Sequence, residues 1–113
     1  MTTTPFKRLL LTGAAGGLGQ VLRERLKGSA EVLRLSDIAP MAPAAGPHEE
    51  VITCDLADKA AVHALVEGVD AILHFGGVST EHSFEDILGP NICGVFHIYE
   101  AARKHGVKRI VFA

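Results

Sequence analysis

Short apolar runs alternate along the whole chain with longer stretches of mixed polarity. The runs are rich in leucine, isoleucine and valine, and the first four end at glycine or aspartate, which is typical of buried strands and the turns that follow them. This pattern predicts five strands, at 7–12, 31–37, 51–55, 70–77 and 107–113.

The stretches between these strands have helical periodicity. Residues 17–28 place four apolar side chains on one helical face before a glycine ends the helix, at Leu18, Val21, Leu22 and Leu26. A second helix is predicted at 59–68, where Asp58 is placed to cap it. The third helical region is 83–106, and Pro90 is predicted to mark the first turn of its main helix.

Strands that alternate with helices at this spacing connect by right-handed crossovers into a parallel sheet with helices on both faces. We therefore predict a doubly wound α/β fold of the Rossmann type, with strand order 3-2-1-4-5 and incomplete on its carboxy-terminal side. No linker or repeat divides the 113 residues, of which 48% are hydrophobic, so residues 1–113 are predicted to belong to a single domain.

Composition argues against several classes of function. A net charge of −2 and only 5% aromatic residues favour neither nucleic acid nor anionic lipid as a partner. No apolar run reaches the length of a membrane span. The apolar run that follows the basic residues Lys7 and Arg8 is too short for a secretory signal, so we predict a cytoplasmic protein. Cys54 and Cys93 lack a paired spacing and the histidines lack metal-ligand spacing, so neither a disulfide nor a metal site is predicted.

The first predicted strand runs into a turn whose glycines are spaced three residues apart, at Gly13, Gly16 and Gly19. Glycine at such positions makes a tight turn, brings bare backbone against a diphosphate, and lets the next helix pack on the strand. That helix points its unpaired amides and the positive end of its dipole at the anion. The turn therefore predicts dinucleotide binding, with an ordinary surface turn as the alternative.

Asp37 ends the second predicted strand eighteen positions after Gly19, close to the roughly 20 expected of the acid that binds the adenosine ribose. Its carboxylate can accept hydrogen bonds from both ribose hydroxyls but repels a 2′-phosphate, and the next three residues supply no cation. NAD is therefore predicted over NADP. Strand alternation alone does not place Arg34 at the ribose. The alternative is that Asp37 only begins the turn before the proline-rich loop.

These segments resemble a known family. The strand, TGAAGGLG (12–19) and the helix that follows are similar to the short-chain dehydrogenase/reductase superfamily, in its extended NAD-dependent epimerase/dehydratase branch. The similarity continues through CDLAD (54–58), LHFGG (73–77) and NICGVFHIYEAARKHGVKRIVFA (91–113). Within the branch it is greatest to the uronate dehydrogenases, which oxidise galacturonate and glucuronate at the anomeric carbon to aldarolactones. The resemblance implies NAD as cofactor, a sugar acid as substrate and a homo-oligomer.

The resemblance also implies which residues bind the cofactor. Gly17 and Leu18 are implied to contact the diphosphate through their backbone. Asp37, with Ile38 alongside, is implied to contact the adenosine ribose. Asp55 and Leu56 are implied to contact the adenine. The channel beside the nicotinamide is implied to be lined by Phe75, Gly76, Gly77, Val78 and Ser79. Ser79 is also implied to reach the sugar acid, and a solvated loop hydroxyl is the alternative. Asn91 matches a helix asparagine of the family, which usually has a structural role and sometimes serves in a proton relay.

In this superfamily a serine or threonine and a Tyr-x-x-x-Lys pair carry out the proton transfer, and neither is present. The one tyrosine, Tyr99, is followed four places later by Arg103 and is predicted to be a packing residue of its helix. No catalytic residue is predicted in this chain. The resemblance places those residues beyond Ala113, so we expect an amino-terminal, NAD-binding part of a longer enzyme, inactive alone. The alternatives are a nucleotide-sugar epimerase or dehydratase and a non-catalytic NAD-binding protein.

Overall fold

Five parallel strands form the centre of the molecule in the computed structural model, which describes residues 6–113. The strands are β1 (Phe6–Thr12), β2 (Ala30–Asp37), β3 (Glu49–Thr53), β4 (Ala71–His74) and β5 (Arg109–Phe112). They lie in the order β3-β2-β1-β4-β5 and every neighbouring pair is parallel. The predicted fold class and strand order are therefore confirmed. Residues 1–5, which entered the argument against a secretory signal, lie outside the described part.

The three predicted helical regions are all helical, but they contain four α-helices and the ends differ. They are α1 (Gly17–Arg25), α2 (Lys59–Val66), α3 (Phe84–Ile87) and α4 (Gly94–His105). Asp58 caps α2 as predicted, because its carboxylate accepts a hydrogen bond from the amide of Ala61 at 3.1 Å. The predicted face of α1 is half wrong. Leu22 and Leu26 pack against the core, whereas Leu18 and Val21 are more than half exposed.

The long region 83–106 is not one helix. Between α3 and α4 lies a π-helical turn (Leu88–Cys93), and Pro90 is inside it rather than in the first turn of the main helix. Proline has no amide hydrogen to donate to the preceding turn, so an α-helical bond is missing there, and the helix is wider at this point.

β4 is also shorter than predicted, ending at His74 instead of residue 77. The apolar pattern continues through Phe75, but the amides of Phe75 and Gly76 both donate to the Thr12 hydroxyl at 3.0 Å. Gly77 then takes a φ of 133°, which favours glycine. The chain therefore leaves the sheet at this point and forms a loop at its carboxyl edge.

Each face of the sheet has its own apolar core, because alternate side chains of a strand point to opposite faces. Leu10 and Ile72 are fully buried in the core beneath α2 and α4. Leu11 and Leu35 are fully buried in the other core, which α1 covers. These packed layers hold the carboxyl ends of the strands in line at one edge of the sheet, where the loops diverge.

Candidate functional site

A cleft of about 420 Å³ opens at the carboxyl edge of the sheet. It lies where the strand order reverses between β1 and β4, which is the usual ligand position in doubly wound folds. Eleven of the fourteen predicted cofactor-binding residues line this cleft, whereas Gly17, Leu18 and Gly19 lie outside its lining. Five lining residues were not predicted: Thr12, Ser36, Cys54, Ala57 and Pro90.

The glycine turn after β1 is packed by backbone on two sides. Gly13 has a φ of 75°, and a side chain there would meet the backbone carbonyl carbon of Phe75 at 2.7 Å. Gly19 is buried, and its Cβ would overlap the Gly13 carbonyl oxygen and lie 2.7 Å from the Ala14 Cα. Gly17, in contrast, faces open space. The turn therefore requires glycine at two positions for packing alone.

The amino end of α1 presents unpaired amides beside the cleft. Its first α-helical bond runs from the Gln20 amide to the Gly16 carbonyl at 2.9 Å. The amides of Gly17, Leu18 and Gly19 precede that bond, so they have no acceptor within the helix. No side chain caps this end and its first turn has no acidic residue. Bare amides and a helix dipole without a competing carboxylate fit a diphosphate.

The Asp37 carboxylate is held in a fixed orientation at the end of β2. One oxygen, Oδ2, accepts from the amide of Ala15 in the glycine turn at 3.0 Å, and Oδ1 accepts from the amide of Ala39 at 3.0 Å. A carboxylate has about four acceptor positions, so both oxygens can still accept from a diol. Asp37 also lines the cleft, which places a preorganised anion where the adenosine ribose is predicted.

No cation lies beside this carboxylate among the residues that line the cleft in the described part of the chain. The guanidinium of Arg34 is instead buried elsewhere. Its Nε pairs with Glu50 at 3.0 Å, and its Nη1 donates to the carbonyls of Leu65 and Glu67 at 2.6 and 3.0 Å. Arg34 therefore holds the end of α2 and does not line the cleft.

The loop after β3 forms the opposite wall of the cleft. The Asp55 carboxylate accepts from the Ala57 amide at 2.9 Å, which closes a tight turn. His97 of α4 donates through Nδ1 to the Leu56 carbonyl at 2.9 Å. A side chain on Gly94 would lie 2.9 Å from the Leu56 Cβ, so this glycine lets α4 approach. Of the two predicted adenine residues, Leu56 is therefore held by α4 and Asp55 by the turn of its own loop.

The loop after β4 is held at Val78 by the amide side chain of Asn91. Asn91 accepts from the Val78 amide at 2.6 Å through Oδ1 and donates to the Val78 carbonyl at 2.8 Å through Nδ2. A Cβ on Gly77 would lie 2.7 Å from that Oδ1, so Gly77 permits the contact. Ser79 follows directly and is exposed at the mouth of the cleft. Asn91 thus positions the loop that carries Ser79.

Thr12 connects the glycine turn to the same loop. Its hydroxyl oxygen already accepts two amide hydrogens, so its own proton is donated to Nδ1 of His74 at 2.7 Å. The His74 ring is therefore neutral and carries its proton on Nε2. Burial lowers the pKa of His74, which favours the same state. The hydrophobic pattern could not indicate this role of Thr12, because in the sequence Thr12 is only the last residue of a buried strand.

The surroundings of Tyr99 also differ from the sequence analysis. Tyr99 is not packed in the core, because 47% of its surface is exposed on the outer side of α4. Arg103 pairs with Glu100 at 2.9 Å, and neither Tyr99 nor Arg103 lines the cleft.

The cysteines and the remaining searches concern residues 6–113 only. Cys54 is buried, which raises the pKa of its thiol, and Cys93 is partly exposed. Both are free thiols. No group of three or more histidine, cysteine or acidic side chains in this range is placed to hold a metal ion. No helix in this range is both long enough and apolar enough to cross a membrane.

The loop between β2 and β3 is fixed by a buried ion pair. Arg23 of α1 bonds both carboxylate oxygens of Glu49, through Nη2 at 2.8 Å and Nε at 3.1 Å. It also donates to the carbonyls of Ala42 and Pro43 at 3.0 and 2.8 Å. Glu49 accepts from the Ala45 amide at 2.8 Å. These bonds, led by the one from Arg23, lower the pKa of Glu49 from 4.5 to about 2.

This pair predicts a specific pH dependence of stability. A carboxyl whose pKa is lower in the folded state stabilises the fold fully above pH 4.5 and loses that contribution as the pH falls toward 2. Glu49→Gln is expected to cost about 2 kcal/mol at pH 7. Urea unfolding of the parent and of Glu49→Gln between pH 7 and pH 3 measures the difference in their free energies of unfolding. This difference should shrink below pH 4.5. A constant difference would contradict the assignment.

Comparison with known proteins gives concordant matches. The NAD dependent epimerase/dehydratase family matches residues 9–113. The uronate dehydrogenase of Pseudomonas putida is 91% identical over 113 residues, which is 100% of this chain and 42% of that protein. That of Pseudomonas syringae pv. tomato is 78% identical, over 99% of this chain and 41% of that protein. A crystal structure of mutant uronate dehydrogenase from Agrobacterium tumefaciens complexed with NAD is 61% identical. It superposes with a TM-score of 0.91 over 95% of this chain and 40% of that one.

The parallel sheet, the cleft at its switch point and the glycine turn beside it define a Rossmann-type protein. This class contains many unrelated activities, so the fold alone does not name a function. The match over residues 9–113 is more specific, and the chain belongs to the NAD dependent epimerase/dehydratase family. The chain spans about two fifths of the length of the uronate dehydrogenases that it matches.

Proposed function

We propose that the protein containing this chain is an NAD-dependent dehydrogenase that oxidises hexuronic acids, galacturonate and glucuronate, at the anomeric carbon to aldarolactones. The 91% identity to the uronate dehydrogenase of Pseudomonas putida is the main support, and it extends over the whole of this chain. Residues 1–113 would be the amino-terminal part of the NAD-binding domain, with the rest of that domain and the substrate-binding region supplied by residues after them.

The cofactor-binding role rests on the geometry of the cleft. The amides of Gly17 and Leu18 would donate to the diphosphate, with Gly16 allowing its close approach. Asp37 would accept from both hydroxyls of the adenosine ribose with Ile38 alongside. The absence of a cation among the described cleft residues supports NAD over NADP. When bound, NAD would accept the hydride released from the anomeric carbon.

The loop after β4 would face the reacting end of the cleft. Phe75 to Val78 would line the channel beside the nicotinamide, and the Ser79 hydroxyl would hydrogen-bond the sugar acid. The exposed position of Ser79 leaves its hydroxyl free to meet a polar substrate. The proton acceptor for the sugar hydroxyl would be a Tyr-x-x-x-Lys pair, which this sequence does not contain.

Assembly and location are part of the same proposal. The outer side of the π-helical turn and α4 exposes apolar side chains at helical spacing, namely Leu88, Ile92, Phe96 and Tyr99. Such a stripe supports a homo-oligomer. Two free thiols support a reducing compartment, the cytoplasm.

The test uses the natural full-length protein with NAD and either galacturonate or glucuronate, while NADH absorbance is followed. We expect NADH formation with both sugar acids and little with NADP. Parallel reactions with UDP-glucose and UDP-glucuronate test for a nucleotide-sugar enzyme. No NADH from either uronate, or turnover of the nucleotide sugars alone, would overturn the proposal. Binding of NAD without any turnover would indicate a cofactor-binding protein.

A further inference from the structure

The loop from 38 to 48 connects β2 to β3 without a helix. It leaves the cleft behind Asp37 and passes along the α1 side of the sheet to Glu49, the first residue of β3. Met41 is partly buried against the core on that side. The Arg23 guanidinium holds the next two residues by their carbonyls. A long connection is thus fixed at its middle and at its end.

The ion pair in this connection is unusually complete. The Glu49 side chain is 1% exposed and the Arg23 side chain 13%. Both Glu49 oxygens are bonded by the guanidinium fork, and Arg23 uses two of its three remaining N–H donors on loop carbonyls. A fork of this kind fixes both distance and direction. A buried pair adds less to stability than its charges suggest, so its main effect can be to select one conformation.

That conformation reaches the cleft through Asp37. The Ala39 amide donates to Asp37 Oδ1, and Ala39 lies three residues before the carbonyl of Ala42 that Arg23 holds. The second Asp37 oxygen is held by Ala15, in the glycine turn that begins α1, the helix carrying Arg23. Arg23 therefore fixes the loop to the helix whose preceding turn also holds the carboxylate.

We propose that Arg23 and Glu49 are positioning residues for the adenosine half of the cofactor. The inference rests on the proposed NAD-dependent function. The pair does not line the cleft, so it would act through the loop and not by contact with the ligand. It holds the loop after β2 so that the Ala39 amide and the Asp37 carboxylate keep the geometry that a ribose diol requires.

The test compares two halves of NAD as separate ligands in the full-length protein. Dissociation constants for ADP-ribose and for nicotinamide mononucleotide are measured by calorimetry on the parent, Glu49→Gln and Arg23→Lys. We expect each variant to weaken ADP-ribose binding about tenfold and to leave the mononucleotide unchanged. Because both ligands require folded protein, the ratio of the two constants is insensitive to a partial loss of stability. A purely structural role would leave this ratio unchanged.

Glu50→Gln is the control, since Glu50 is the neighbouring residue and accepts from Arg8 and Arg34 at a more exposed position away from the cleft. Its ratio should equal that of the parent. The double variant Arg23→Lys with Glu49→Gln should bind ADP-ribose no more weakly than whichever single variant binds it more weakly, because both substitutions act through one contact. An unchanged ratio in both single variants overturns the inference alone. A parent that binds neither NAD nor ADP-ribose overturns the proposed function instead.

Discussion

Replacing Gly19 with alanine is expected to lower the free energy of unfolding by about 3 kcal/mol or more and to abolish measurable NAD binding. The added methyl group would overlap the Gly13 carbonyl oxygen and lie within 2.9 Å of the Ala14 carbonyl carbon. These are backbone atoms of the turn itself, so no side-chain rotation relieves the contact. Relief requires α1 to move away from β1, which withdraws its amides from the cleft.

Gly17→Ala is the matched control for this substitution. A methyl group at Gly17 meets no atom within 4 Å, and the residue is the first of α1. We expect its unfolding free energy to stay within about 0.5 kcal/mol of the parent. Urea unfolding and calorimetry with NAD on the full-length protein measure both properties. If Gly19→Ala matched the parent in stability, the described packing of α1 on β1 would be wrong.

The second large effect is expected at Asp37. Asp37→Ala removes an ionised acceptor from the proposed ribose site, and such hydrogen bonds contribute about 1.5–3 kcal/mol. The dissociation constant for NAD should therefore rise roughly tenfold to 150-fold. The affinity for NADP should fall less than that for NAD, or rise, because the carboxylate that repels the 2′-phosphate is gone. Calorimetry with both cofactors measures the two dissociation constants, and we expect the preference for NAD over NADP to decrease.

Asp58→Ala tests whether any lost aspartate has this effect. Asp58 also accepts a backbone amide, that of Ala61, but it caps α2 outside the cleft. Its loss should cost about 1 kcal/mol of stability and leave NAD affinity unchanged. Equal NAD affinity in Asp37→Ala and the parent would refute the placement of the ribose at Asp37, even if the protein proved to be a uronate dehydrogenase.

The sequence predicted those parts of the fold that depend on local pattern. Strand order followed from the alternation of apolar runs and helices, and the glycine turn from the spacing of three residues. Helix faces were harder, because Leu18 and Val21 have the same period as Leu22 yet point to solvent. Periodicity identifies which residues share a face. It does not show how wide the buried part of that face is.

Contacts between distant residues account for the rest. The end of β4 depends on a hydrogen bond from the Phe75 amide to the Thr12 hydroxyl, and these residues are 63 positions apart. Arg23 and Glu49 are 26 residues apart. Such pairs are adjacent only because of the strand order, so no local pattern indicates them. Most of the cleft lining was nevertheless predicted, since its residues cluster directly after the strands and carry family motifs.

The π-helical turn determines how the two ends of the cleft relate to each other. Asn91, within this turn, accepts a hydrogen bond from the Val78 amide on one side. On the other side Gly89 packs against Ala57, and a Cβ added to Gly89 would lie 3.0 Å from the Ala57 Cβ. Both loops thus contact one helical segment that lies between them. A displacement of that segment would shift the Val78 loop and the Ala57 loop together. A dinucleotide in contact with both loops would register such a shift at both of its ends.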